Sequence, residues 1–423
     1  MNKTVAALQI SNSYYELVIG YVLDEKVDIL YKVRNPLSVS YKDGDIYDFG
    51  SLSDDLSKIN NIEANISGHK LRINVNEIVL VLPSYGLEVY HTSKTTNTVS
   101  NVSKIARIDI SNALALVKKE KLPNLNNVLV DIVPNYFKLD NGKEFITPPI
   151  NETSLNITLD ANVYTLPGKM AKELKSVCEK AGLKVIREVI SPIGVSNLLQ
   201  GLRYKQDTYL IVDFGNKTTT LSFIGKNTLY ASNFFSIGID DLVERYMEEM
   251  QISKEKAIEI KNTYGFDVRK TEYSPAIVTK VGLDGVKRNY AKEDVSYITL
   301  NFLKQWLGMF KGSFDNLMDN YQRLKNTITL VFIGEGSRLN GLKDYVLKNY
   351  NSNPLEILTL PTVGCREGEF VSCLGAIYTA SSYRGALEDE SRNQVSELNR
   401  ESDTVRDRSD KVREKYTELR DEL

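Results

Sequence analysis

A three-strand pattern occurs twice in this chain, about half a chain apart. In the second copy, residues 208–235, an apolar run ends at Asp213, turns through residues 215–217, continues as an alternating segment and turns again into a third segment. Residues 5–34 repeat this order of strand, small polar turn, strand, tight turn and strand. The repeat predicts a duplicated α/β fold with an interdomain cleft, to which each copy contributes one turn.

The turns of this repeat have the composition of an anion site. Backbone N–H groups and hydroxyls in such turns can bind an oxyanion, and Asp213 is placed to hold a metal-bound water. A third contact is expected where the apolar strand 327–333 runs into a loop with Gly334, Gly336 and Ser337. Many hairpins and α/β loops with these residues bind nothing, so a plain structural role is the alternative.

Charge and cysteine content exclude several classes of protein. The chain has 53 basic and 55 acidic side chains, so we expect no nucleic-acid partner and no general attraction to anionic membranes. Its three scattered cysteines are too few for a disulfide framework, which suits a reducing cytosol. No apolar run approaches the length of a membrane span. We therefore expect an intracellular protein.

Periodicity along the chain predicts the remaining elements. The spacing of apolar residues predicts helices over 54–66, 108–121, 169–181, 238–250, 253–264 and 294–318. Trp306 lies in the last of these and is expected in the core. Strands at 128–139 and 155–165 flank a turn at 140–142. With the helix before them they predict a small α+β module inserted at 85–160.

In order and spacing these pieces resemble the actin and Hsp70-like ATPase superfamily, and within it the bacterial cell-division protein FtsA, over residues 5–382. The resemblance is carried by the two hairpin turns, the Gly334 loop, the inserted module and the segments 189–194 and 257–265. The inserted module sits where FtsA and its relatives carry a subdomain that actin lacks. The resemblance implies an α/β, duplicated actin-like (ribonuclease H-like) fold with two lobes around a nucleotide cleft.

The domain organisation follows from the same resemblance. We expect first-lobe core at 1–84 and 161–206, the inserted FtsA-type subdomain at 85–160, second-lobe core at 207–238 and 327–384, an upper subdomain of the second lobe at 239–326, and a charged, heptad-like helical tail at 385–423. The tail's apolar residues recur at alternating three and four, which predicts a solvated single helix or a weak coiled coil. Its acidic excess disfavours binding to anionic lipid.

The resemblance also implies a set of nucleotide-binding residues, if the site is retained. They are Asn12, Ser13, Asp213, Gly215, Asn216, Lys217, Thr218, Lys261, Gly334, Gly336 and Ser337, with Mg²⁺ at Asp213. Two of these positions have alternative interpretations. Lys217 either restores positive charge to the turn or points into solvent, and Lys261 either contacts the nucleoside or is an ordinary lysine of an amphipathic helix.

Departures from the family pattern bear on catalysis. An FtsA-like first turn reads Asp-Ile-Gly-Thr-Ser-Ser with a lysine shortly after, whereas here Gln9 replaces the aspartate and Glu16 stands at the lysine position. Ser191 replaces the acid of the family's Glu-Pro segment, and Glu335 interrupts Gly-Gly-Gly. An ionised Glu16 about 4 Å from a phosphate would cost roughly 4 kcal/mol at an effective dielectric near 20. We expect ATP hydrolysis to be absent or very slow, with no catalytic residue, and leave ATP/Mg²⁺ binding open.

For function, the resemblance implies a cytoskeletal adaptor of bacterial cell division. Such a protein would bind the tubulin-like protein FtsZ through residues 239–320, at the cytoplasmic face of the cell membrane, with weak or indirect membrane contact and with self-association into filaments left open. The first alternative is a pilus-assembly scaffold of the PilM type, which shares the inserted module and binds a short peptide. The second is a sugar or acetate kinase on the same fold, which the altered first turn and the absence of a convincing catalytic Asp or His disfavour.

Overall fold

A computed structural model describes residues 4–23, 26–39, 45–66, 69–100, 102–267, 274–281, 287–350, 353–362 and 364–383. The strands, in chain order, are β1 (Val5–Ile10), β2 (Tyr14–Leu23), β3 (Lys26–Pro36), β4 (Asn61–Ile66), β5 (His69–Asn74), β6 (Glu77–Leu82), β7 (Glu88–Asn97), β8 (Asn127–Leu139), β9 (Glu144–Phe145), β10 (Asn156–Pro167), β11 (Lys184–Ile190), β12 (Tyr209–Phe214), β13 (Thr219–Gly225), β14 (Thr228–Phe235), β15 (Val278–Val281), β16 (Lys287–Tyr290), β17 (Thr329–Ile333) and β18 (Leu355–Ile357). The helices are α1 (Phe49–Ser57), α2 (Arg107–Lys118), α3 (Gly168–Lys180), α4 (Ser191–Gly201), α5 (Ile239–Met250), α6 (Lys254–Thr263), α7 (Lys292–Leu317), α8 (Leu342–Asn349) and α9 (Val371–Tyr383). The tail predicted at 385–423 lies outside the described residues.

Two five-stranded sheets have the same topology. The first has the strand order β11-β6-β1-β2-β3 and the second β18-β17-β12-β13-β14. Each consists of an antiparallel three-strand meander extended by two parallel strands. The inner parallel strands β6 and β17 are almost entirely buried, as expected of strands that are covered on both faces. This repeat confirms the predicted duplicated α/β fold, and each sheet with its helices forms one lobe.

A third sheet, β7-β10-β8-β9, forms the inserted module of the first lobe. The odd-numbered residues of β10 from 157 to 163 pack against Ile110, Ala113 and Val117 of α2, and together they form a separate small core. Apolar residues at alternate positions of the strand and helical spacing in α2 are the sequence patterns that predicted this module. The observed strand β10 continues to Pro167.

The helix predicted at 54–66 is wrong. α1 begins earlier, because the Asp48 carboxylate accepts a hydrogen bond from the Ser51 backbone N–H at 3.0 Å and caps the helix. Residues 61–66 form β4 instead, which pairs antiparallel with β5. The sequence of β4 places apolar residues at alternate positions, and this strand pattern was obscured by the helical spacing of the residues before it.

Trp306 of α7 lies at the centre of the second lobe. Its ring stacks on Phe214 and Phe310 with centroid distances of 4.9 and 5.3 Å. Its indole N–H donates a hydrogen bond to Thr219 Oγ1 at 2.9 Å. The side chain is fully buried, so the prediction that Trp306 is a core residue is confirmed.

The last described helix, α9, crosses α4 and also contacts β1 and β2 of the first sheet. The crossing is close because both helices have glycine there: a Cβ added at Gly375 would lie 2.4 Å from the carbonyl carbon of Gly194. α9 therefore packs the end of the described chain against the first sheet. None of the helices in the described part of the chain is long and apolar enough to span a membrane.

Candidate functional site

A polar cleft lies between the two lobes, where the ends of β1 and β6 face the ends of β12 and β17. Six of the predicted nucleotide-binding residues line it, namely Asn12, Asp213, Gly215, Asn216, Thr218 and Gly334. The structure therefore brings both hairpin turns and the glycine loop to one place. The space open to water in this cleft is about 60 Å³.

Asp213 is the penultimate residue of β12 and faces the glycine loop. Burial raises the pKa of the Asp213 carboxyl to about 6. The loop lies directly on this strand end: Gly334 has φ +82°, and a Cβ there would lie 2.5 Å from Asp213 Oδ1. Gly336 packs on the ring of Phe214, and the hydroxyl of Ser337 donates to the Gly334 carbonyl at 2.7 Å. The loop is thus held tightly by its own contacts.

Two further hydroxyls among the predicted site residues are engaged across the cleft. Ser13 Oγ, in the first turn, donates to Asp240 Oδ2 of α5 at 3.0 Å. Thr218 Oγ1, in the second turn, is 2.6 Å from the Tyr85 hydroxyl of the first lobe. These groups join one lobe to the other through direct hydrogen bonds.

The two predicted lysines each form an ion pair. Lys217 pairs with Glu244 of α5, so its charge is satisfied by this helix and it does not line the cleft. Lys261 of α6 pairs with Glu335, and its side chain is only 6% exposed. Lys261 is therefore buried and paired within the chain.

Arg34 of β3 is the central side chain that sequence reasoning missed. Its Nε donates to Glu16 Oε1 at 3.0 Å, and its Nη2 donates to Glu335 Oε2 at 2.5 Å and to Asn216 Oδ1 at 3.0 Å. The guanidinium also lies 3.8 Å from the centre of the Tyr14 ring. Arg34 thus joins a first-lobe hairpin to the second turn and to the glycine loop.

The charges of this network affect each other strongly. The Glu16 side chain is 2% exposed, and burial, partly offset by Arg34, raises the pKa of its carboxyl to about 7. Burial also acts to raise the pKa of Glu335, but the charges of Arg34 and Lys261 outweigh it and hold that pKa at about 2. Glu335 is therefore ionised at neutral pH.

Two other departures from the family pattern lie at the cleft wall. The Ser191 hydroxyl is 2.8 Å from the Ser372 hydroxyl, which is also buried. Gln9 lines the cleft, and its amide oxygen is buried with no hydrogen-bond partner among the described residues. Neither side chain supplies the negative charge of the carboxylate that it replaces.

No protein-family model matches the chain. It is similar to curated proteins named cell division protein FtsA: 21% identical over 70% of the chain to that of Streptococcus pneumoniae, 24% over 46% to that of Enterococcus faecalis, and 18% over 86% to that of Buchnera aphidicola. The aligned stretches span 65%, 44% and 84% of those relatives.

Solved structures show the fold. The PilM–PilN type IV pilus biogenesis complex matches 89% of the chain and 98% of the matched chain, with 15% identity and a TM-score of 0.56. MreB 5 of Spiroplasma citri bound to AMPPNP matches 91% of the chain and 98% of its own, with 12% identity and a TM-score of 0.52. The chain is FtsA-like in sequence and actin-like in fold.

Proposed function

We propose that this FtsA-like, actin-type chain is a cytoskeletal adaptor of bacterial cell division that binds FtsZ through the second lobe, at the cytoplasmic face of the membrane, and does not turn over ATP. The observation that carries the proposal is the sequence similarity to FtsA, which extends over 304 residues and 70% of the chain. Self-association into filaments, and membrane contact only weakly or through partners, belong to the same proposal.

The small volume of the cleft and the pairing of its charged groups support a role without ATP hydrolysis. A site for a ligand of nucleotide size needs roughly 300–1,000 Å³, far more than the 60 Å³ present. The residues in this arrangement do not fit a nucleotide, because Glu335 lines the small cleft and its carboxylate already pairs with Arg34 across the two lobes. Ser191 offers no carboxylate to orient an attacking water. Phosphoryl transfer depends on positioned groups that neutralise charge, and here the cleft's own carboxylates engage Arg34 and Lys261.

FtsZ binding can be tested on α7 of the second lobe. Tyr297 on this helix is 64% exposed and offers an aromatic contact of the kind that often dominates binding energy. We expect Tyr297→Ala to weaken binding of an FtsZ C-terminal peptide, measured by fluorescence anisotropy. Tyr47→Ala, which removes a first-lobe tyrosine that is 74% exposed, is the matched control. No binding by the unmodified chain, or steady ATP turnover with micromolar affinity, would contradict the proposal.

A second candidate, a PilM-type pilus scaffold, is favoured by one groove. It has a volume of about 390 Å³ and lies between β8 and α2 of the inserted module and β11 of the first sheet. Leu129, Ile132 and Ile186 give it apolar walls, and the Lys175–Glu188 ion pair also lines it. A short apolar peptide with a charged end fits this groove. Pull-down with FtsZ peptide against PilN peptide separates the two functions, and Ile186→Asp should abolish only the second interaction.

A further inference from the structure

Three donors from both lobes surround the carboxylate of Glu335. Arg34 Nη2 and Asn216 Nδ2 lie 2.5 and 3.0 Å from Oε2, and the Lys261 ammonium contacts Oε1. One guanidinium, one ammonium and one amide make up a donor set of the kind proteins use to bind phosphate or carboxylate anions. The donors come from β3, from the turn after β12 and from α6, so they converge on this carboxylate only in the tertiary structure.

Contacts within the chain hold these donors in place without any added ligand. Glu16 holds Nε of Arg34, and the ring of Tyr14 lies beneath its guanidinium. Lys261 is buried on α6, where an unpaired ammonium would be strongly destabilising. A site with this much buried positive charge requires an anion, and Glu335 supplies one at every pH above its low pKa of about 2.

We propose that Arg34, Asn216 and Lys261 form an anion-binding site whose resident anion is the chain's own Glu335 carboxylate, which closes the cleft in the place of a phosphate-bearing ligand. This inference rests on the proposed function, in which the cleft no longer turns over ATP. It adds the reason: an incoming phosphate must displace Glu335, because both need the same donors. Glu335 acts here as a positioning residue that holds the lobes together.

Replacement of the resident anion tests the site. Glu335→Gln keeps the size of the side chain and removes its charge, which leaves Arg34 and Lys261 available to an added anion. With the full chain and inorganic pyrophosphate as the probe, we expect calorimetric titration to show affinity at least roughly tenfold higher for Glu335→Gln than for the unmodified chain. The gain should weaken as ionic strength rises.

Two further variants test whether the gain in pyrophosphate affinity depends on the donors around Glu335. In the double variant Arg34→Met/Glu335→Gln the gain should disappear. Asp267→Asn removes a carboxylate that pairs with Lys292 at 2.6 Å outside the cleft and should leave pyrophosphate binding unchanged. Equal affinity in the unmodified chain and Glu335→Gln, or a gain that survives loss of Arg34, would overturn the inference.

Two further measurements keep the outcome clear. Circular dichroism checks that each variant is folded, and Glu335→Ala replaces Glu335→Gln if the latter is not, with the same gain expected. The pyrophosphate titration needs no protein partner. Failure of FtsZ peptide to bind would therefore count against the proposed function alone, whereas failure of the titration would count against the internal anion alone.

Discussion

Replacement of Glu16 by glutamine should remove much of the pH dependence of this protein's stability. Glu16 is an almost fully buried carboxylate, and its pKa of about 7 in the folded chain exceeds the ordinary value of 4.5. Between these two pH values the folded chain binds a proton that the unfolded chain has lost. The free energy of unfolding therefore falls as pH rises through this window.

The size of the effect follows from the two pKa values. At about 1.4 kcal/mol for each tenfold change in an equilibrium constant, the difference between 4.5 and about 7 corresponds to about 3 kcal/mol. Most of this is lost between pH 5 and 8. Glu335 has the opposite sign: its low pKa stabilises the fold above pH 4.5, and this contribution is lost only as pH falls toward 2. The window from pH 5 to 8 thus reports Glu16 and not Glu335.

Urea unfolding, followed by circular dichroism at pH 5 and at pH 8, measures this change in the free energy of unfolding. Relative to the unmodified chain, Glu16→Gln should gain about 2–3 kcal/mol in unfolding free energy between the two pH values. Asp213 also titrates in this window in both proteins, so the difference between them isolates Glu16. Glu77→Gln, which breaks a surface pair with Lys184 in the same lobe, is the control and should follow the unmodified chain. Parallel pH profiles for Glu16→Gln and the unmodified chain would refute the reasoning.

Two further changes test the network and the helix crossing. Arg34→Met should destabilise the chain by about 3–5 kcal/mol near neutral pH, because Glu16 and Glu335 both lose their shared cation; a loss below about 1 kcal/mol in thermal unfolding would show that the bridge is unimportant. Gly375→Ala should destabilise by about 1–3 kcal/mol because its methyl group would overlap the α4 backbone. Gly308→Ala, where a Cβ meets open space in the middle of α7, should instead stabilise by about 0.5–1 kcal/mol, and urea midpoints that shift in the same direction for both would contradict this.

Local patterns were sufficient to predict most of the fold. The apolar runs of β6, β12 and β17 and the turns between the strands of each meander are encoded in neighbouring residues, so the duplicated sheets could be predicted. Prediction failed where one pattern followed another closely, as at 54–66, where a short helix leads into a strand. For the site, six of the predicted residues line one cleft, but their side-chain partners were not predictable, since the contacts join residues far apart in sequence.

Arg34 shows most clearly which features could be predicted from the sequence and which could not. The turn between β2 and β3 pairs Leu23 with Lys26, and that register continued along the hairpin would place Val33 opposite Glu16. An irregularity at Gly20 shifts the pairing by one residue and places Arg34 there instead. The sequence by itself determined the strands of the two meanders, their duplication and the presence of an unusual acid, Glu16, shortly after the first turn. Only the tertiary structure decided that a bulge would place Arg34 beside that acid and that the second lobe would bring Glu335 to the same guanidinium, because charge pairing depends on distances that strand pattern alone does not specify.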